Sequence, residues 1–85
     1  MKILVTGGAG FIGSNFVYHM LNKYPTYKII CVDALTYAGR TETLQSANQN
    51  ENFTFIHADI SDKEKMDAVF SEHTPDMVVN FAAAF

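Results

Sequence analysis

The residues best placed to do chemistry in this 85-residue chain form one glycine-rich run, Thr6-Gly7-Gly8-Ala9-Gly10-Phe11-Ile12-Gly13. Gly8, Gly10 and Gly13 fit G-x-G-x-x-G, and Gly7, Gly10 and Gly13 fit G-x-x-G-x-x-G. In a turn between a strand and a helix this spacing means dinucleotide binding. The first glycine permits the tight turn. The second has no Cβ, so a pyrophosphate can approach the backbone. The third lets the helix pack closely on the strand. The first turn of that helix presents free N–H groups and a partial positive charge to the phosphates. A second chemical group falls at the required distance. Asp33 lies twenty residues beyond Gly13, the separation at which a carboxylate accepts hydrogen bonds from the adenosine ribose. The same carboxylate repels the 2′-phosphate of NADP, and Ala34 brings no compensating base. The expected cofactor is therefore NAD. The competing structural readings are an empty glycine turn and an Asp33 that only caps its own turn.

These groups need elements to position them, and the pattern supplies them. Residues 2–6 read as a buried strand around Ile3-Leu4-Val5. Residues 12–23 read as a helix, with Ile12, Phe16 and Met20 on its apolar side beside Val17 and Leu21. Ser14, Asn15, Tyr18, His19 and Asn22 fall mostly on the opposite side, and Tyr24-Pro25 stops the helix. Residues 27–33 form the second strand and residues 34–40 a loop. Thr41 opens a short helix through about residue 48, merging into a polar, asparagine-rich loop from Ser46 to Asn52. Residues 53–58 form the third strand, whose aromatic and β-branched content suits a sheet. His57 is expected at the sheet packing or its edge. Asp59-Ile60 leave the carboxyl end of that strand, where ligands of open α/β sheets bind. Ser61-Asp62-Lys63-Glu64 reads as an S-x-x-E capping box for a helix through His73. Its buried stripe is expected to be Met66, Val69, Phe70 and His73. Thr74-Pro75 ends it, and Asp76 to Phe81 forms the fourth strand. The small residues Ala82 and Ala83 that follow leave room for a cofactor.

Strands alternating with helices predict a parallel sheet of the doubly wound α/β, Rossmann-like class, in strand order 3-2-1-4. Right-handed crossovers put the first two helices on one face and the third on the other. The fourth strand is then an edge, where the larger fold has an inner strand. The switch point lies between strands 1 and 4, beside the glycine turn.

Bulk composition excludes other classes. Net charge is −3, from 6 basic and 9 acidic residues. With no basic patch, neither nucleic acid nor an anionic membrane is an expected partner. The single cysteine, Cys31, sits in the apolar run Ile29-Ile30-Cys31-Val32 and reads as a buried, inert thiol. No apolar stretch is long enough to span a bilayer. The chain enters its first strand with no signal-peptide pattern, which together with cysteine usage points to the cytoplasm.

The glycine run resembles the fingerprint of extended short-chain dehydrogenase/reductases that act on nucleotide sugars. Asp33-Ala34-Leu35-Thr36-Tyr37-Ala38-Gly39 is similar to the corresponding loop of the dTDP-glucose 4,6-dehydratase branch. Asp59-Ile60 and Asn80-Phe81-Ala82-Ala83 match the same pattern. The resemblance runs from Met1 to Ala83 and implies the N-terminal part of an NAD-binding domain over residues 1–85. It implies that Phe11 and Ile12 lie at the pyrophosphate and that Asp33, Ala34, Leu35 and Thr36 hold the adenosine ribose. It further implies that Asp59 and Ile60 hold the adenine, and that Phe81, Ala82 and Ala83 line the inner end of the cofactor. The family continues A-A-E-S-H, where this chain has Ala82-Ala83-Ala84-Phe85. Its Tyr-x-x-x-Lys pair, elimination acids and sugar-nucleotide domain come later in the sequence, so no catalytic residue is assigned here. Tyr24 and Lys28 have that spacing, but they precede the second strand, on the far side of the sheet.

The implied chemistry is a closed redox cycle on dTDP-glucose. Hydride leaves C4 of the hexose, the 4-keto group acidifies the C5 proton, water leaves across C5–C6, and the hydride returns to C6. The resemblance also implies a homodimer. Two other functions fit the same residues: an NAD-dependent nucleotide-sugar epimerase or decarboxylase, and a stand-alone, non-catalytic NAD-binding module.

Overall fold

The computed structural model describes residues 1–7, 11–34 and 46–81. Four strands and two helices are present among them: β1 (Lys2–Thr6), α1 (Phe11–Lys23), β2 (Lys28–Asp33), β3 (Phe53–His57), α2 (Lys63–His73) and β4 (Met77–Asn80). A 3-10 turn, Ala47–Gln49, precedes β3. All strand pairs are parallel, in the order β3-β2-β1-β4. This is the doubly wound α/β arrangement expected from the alternation of strands and helices.

The central strands are apolar on both sides because both faces are covered. Side chains alternate across a strand. On one face Ile3, Val5, Ile29, Cys31 and Phe53 pack with Val17 and Leu21 of α1 and with Ala47. On the other, Leu4, Ile30 and Val32 pack with Ala58 and with Val69 of α2. So α1 and the 3-10 turn lie on one face and α2 on the other, as right-handed crossovers require. Cys31 is fully buried, as expected.

Local details differ from the pattern read in the sequence. The stripe that α1 buries runs through Ser14, Val17 and Leu21, while Ile12 is 69% exposed. Ile12 is two residues from Ser14, about 200° around a helix of 3.6 residues per turn. Small side chains at Gly13 and Ser14, both buried, bring the helix backbone close to the sheet, and the bulkier Ile12 faces away. Phe16 and Met20 flank the buried stripe instead of forming it.

The start of α2 is also displaced from the expected box. Its N-cap is Asp62, whose carboxylate accepts from the Lys65 N–H at 3.2 Å. Ser61 is engaged elsewhere: its N–H and Oγ–H both donate to Asp59 Oδ1, at 2.9 and 2.8 Å. Val69 alone of the expected α2 stripe is buried. Met66 is half-buried, His73 partly exposed and Phe70 40% exposed.

Thr74 closes α2 in the left-handed region, φ 45° and ψ 60°, its N–H bonded to the Phe70 carbonyl. Pro75 then bars continuation. β4 pairs with β1 alone among the described strands, and Met77 and Val78 are about half exposed. Of the helix expected from Thr41 to about residue 48, residues 41–45 lie outside the described residues. The 3-10 turn falls in the stretch read as the start of the polar loop.

Candidate dinucleotide site

The carboxyl ends of the four parallel strands lie on one side of the sheet, and those predicted site residues that are described lie at or just beyond those ends. β1 runs into Gly7, which has φ 75°. A Cβ is disfavoured there, so this position uses glycine's conformational freedom. The Gly7 N–H still reaches the Val32 carbonyl, at 2.9 Å, and continues the β1–β2 ladder by one residue. On the other side of β1 the Phe81 N–H donates to the Thr6 carbonyl, at 2.7 Å. The crevice between β1 and β4 thus begins where both neighbours are still hydrogen-bonded.

Phe11 opens α1 four residues after Gly7. Gly13 is buried against the sheet, as the third glycine of the fingerprint requires. Ile12 stands exposed on the first turn. Gly8 and Gly10 lie outside the described residues, as do Leu35, Thr36, Ala82 and Ala83.

Asp33 ends β2 and is buried, at 3% exposure. Ala34 follows it. One strand further out, Asp59 and Ile60 leave β3, both exposed to solvent. The Ser61 backbone N–H, and secondly its hydroxyl, hold the Asp59 carboxyl below the usual carboxylate range. Both bonds are made to the charged form and so favour the carboxylate, an acceptor. Phe81 leaves β4 and packs on Phe16 of α1, ring centroids 5.3 Å apart. That contact fixes the exit of β4 over the helix that starts at the glycine turn.

Three polar relations at this end were not read from the sequence. Thr6 Oγ1 and Asn80 Oδ1 are 2.5 Å apart across β1 and β4. His57, expected at the sheet packing or its edge, is exposed, with its Nε2 3.0 Å from the Ala34 carbonyl. Ser61 serves Asp59 and not the helix. The signal for the first was available, since each apolar strand ends in a polar residue able to bond across the gap.

Tyr24 and Lys28 lie at the opposite end. Lys28 is the first residue of β2, level with Lys2, and Tyr24 stacks on Tyr27 with centroids 4.6 Å apart.

The arrangement fits a dinucleotide. Gly7, at positive φ, ends β1 four residues before α1 begins, with the buried Asp33 at the end of the next strand and the exposed Asp59 beyond it. The family model described as GDP-mannose 4,6 dehydratase matches residues 4–85. The chain belongs to this family. A dTDP-glucose 4,6-dehydratase from Shigella flexneri is 49% identical over 83 residues, which is 98% of this chain and 23% of that protein. The dTDP-glucose 4,6-dehydratase of Bacillus anthracis, crystallised in complex with NAD, superposes with TM-score 0.94 at 50% identity, over 99% of this chain and 27% of that one. A UDP-glucose 4-epimerase from Thermotoga maritima, crystallised with UDP-glucose, superposes with TM-score 0.82 at 43% identity, over 98% of this chain and 24% of that one. As a member of the family, the chain therefore spans about a quarter of the length of these relatives.

Proposed function

We propose that this chain is the N-terminal, NAD-binding part of a nucleotide-sugar dehydratase that converts dTDP-glucose to dTDP-4-keto-6-deoxy-glucose. One observation carries the reading: the buried Asp33 carboxylate stands at the end of β2, next to the turn in which Gly7 bonds to Val32. That is the place of the adenosine ribose in a doubly wound sheet. The identities of 49% and 50% to dTDP-glucose 4,6-dehydratases support the choice of reaction.

In this reading Gly7, Gly10 and Gly13, with the first turn of α1 at Phe11 and Ile12, cradle the pyrophosphate. Asp33, Ala34, Leu35 and Thr36 hold the adenosine ribose. Asp59 and Ile60 hold the adenine, and Phe81, Ala82 and Ala83 line the inner end. When bound, NAD supplies a hydride acceptor that returns its hydride to the sugar. The residues of this chain bind and orient it, and the groups that move protons on the hexose belong to the rest of the protein. We further read that protein as a cytoplasmic lyase acting as a homodimer in deoxysugar formation.

The 43% identity to a UDP-glucose 4-epimerase favours one alternative, epimerisation at C4 of a UDP-sugar. Incubating the complete protein with dTDP-glucose and, separately, UDP-glucose tests both. The proposal expects a dTDP-sugar product one water lighter, with NAD unchanged in amount. Conversion of UDP-glucose to its C4 epimer, with dTDP-glucose untouched, would establish the epimerase. NAD binding without turnover of either sugar would leave the binding module.

A further inference from the structure

We propose that His57 is a positioning residue for the ribose end of the cofactor site, an inference that rests on reading this end of the sheet as a dinucleotide site. Three successive carbonyls carry the end of β2 into the loop, and each is held. The Val32 carbonyl accepts from the Gly7 N–H at 2.9 Å, and the Asp33 carbonyl from the Ala58 N–H at 3.1 Å. The Ala34 carbonyl accepts from the His57 ring, Nε2 at 3.0 Å. Asp33 and His57 are level in the β2–β3 register, so the ring needs to reach only one residue along the neighbouring strand.

Because peptide groups are planar, the first two bonds fix the two planes that meet at the Asp33 Cα, and the His57 bond fixes the next plane, on the far side of Ala34. The strand end that carries the Asp33 carboxylate is thereby tied on both sides of Ala34 before any ligand arrives. Such pre-organisation raises affinity by lowering the ordering cost of binding. The first two bonds come from backbone N–H groups. Only the third comes from a side chain, at the point where the chain leaves the ladder. A carbonyl can only accept, so the ring must carry its proton on Nε2. His57 touches neither substrate nor cofactor in this account; it acts through Ala34.

The test uses the complete protein with His57→Leu, which removes the donor, and His57→Gln, whose amide nitrogen restores one. NAD affinity is measured directly and AMP affinity by competition against NAD. His57→Leu should weaken both ligands alike, by about three- to ten-fold, the scale of one hydrogen bond. His57→Gln should recover most of the loss. A general structural defect would not be repaired by glutamine in place of leucine. The inference is overturned if His57→Leu binds both ligands as the unsubstituted protein does. Equal losses in the two variants, or loss of NAD affinity with AMP unaffected, overturn it as well. Should the unsubstituted protein fail to bind NAD, the cofactor reading falls and this inference with it. NAD binding that is normal and indifferent to His57 removes this inference alone. Should His57→Leu not fold, nitrogen NMR of the unsubstituted protein decides, at a pH where the ring is neutral. The proposal requires the Nε2–H tautomer, and an Nδ1–H tautomer contradicts it.

Discussion

The Thr6 hydroxyl donates to the side-chain oxygen of Asn80, 74 residues away in sequence and 2.5 Å away in space. The two stand level in the β1–β4 register, at the carboxyl ends of both strands. The bond joins the strands that flank the proposed switch point, with Phe81 entering immediately after it. It adds a side-chain tie to the backbone ladder where the walls of the crevice begin. Thr6→Val keeps the shape and removes the donor, and should cost about 1 kcal/mol of stability. In a double-mutant cycle with Asn80→Ala, urea unfolding should give a coupling of about 0.5–1.5 kcal/mol. Strictly additive losses would show that the contact contributes nothing of its own.

In the proposed site Asp33 is the residue that tells NAD from NADP. Its carboxylate is buried at the end of β2, so a 2′-phosphate would meet a negative charge with little water to screen it. The protein should bind NAD well and NADP poorly. Asp33→Ala should weaken NAD by about 1–3 kcal/mol, the scale of charge-assisted hydrogen bonds, and narrow the gap to NADP. Parallel calorimetric titrations with the two dinucleotides check this; equal affinities in the unsubstituted protein would contradict it.

The Asp59 carboxyl is held below its usual range by the Ser61 backbone N–H first and its hydroxyl second. A depressed folded-state value means stabilisation that is fully present above the unfolded-state pKa and lost as pH falls through the lower folded value. The window is thus acidic, and neutral solution lies wholly on the stabilised side. Ser61→Ala deletes the smaller of the two causes and leaves the larger. Carbon NMR titration of the Asp59 carboxyl should then show a partial rise, short of the ordinary value. An unchanged titration would mean that the hydroxyl has no effect on the carboxylate.

Thr74 sits at φ 45° with a branched side chain. For a residue with a Cβ this region costs about 1–2 kcal/mol. Thr74→Gly should remove that strain, with part of the gain offset by the greater freedom of glycine in the unfolded chain. The net result should be a stabilisation of about 1 kcal/mol in chemical unfolding. Thr74→Ala keeps a Cβ and should gain much less. Equal effects of alanine and glycine would show that the left-handed conformation carries no strain.

The two central strands were legible because β1 and β2 are buried on both faces and so read as apolar runs; the order followed from the alternation of strands with helices. The glycine spacing and the twenty-residue interval to Asp33 stood out as a pattern because, in the proposed site, a phosphate and a ribose would impose fixed distances. What could not be read was how the ends are tied. Ser61 had two possible partners for its hydroxyl, and sequence spacing cannot rank accepting from a helix N–H against donating to the Asp59 carboxylate. Ile12 fits the apolar period of α1 as well as Val17 does. Its exposure follows from the close approach of Gly13 and Ser14 to the sheet, a tertiary effect. Phe70 read as core, yet it is 40% exposed, because α2 meets the sheet chiefly through Val69; Val78, 49% exposed, lies on the strand expected to be an edge.

The central claim is that the glycine turn at the end of β1 holds the pyrophosphate of NAD. Calorimetric titration of the complete protein with NAD, beside its Gly10→Val variant, tests it most directly. A Cβ at the second glycine of the fingerprint would occupy the space of the pyrophosphate. The account predicts one NAD site per chain, abolished by Gly10→Val while the unfolding transition moves far less than the affinity. Normal NAD binding by Gly10→Val would contradict it and return the turn to an ordinary connection between a strand and a helix.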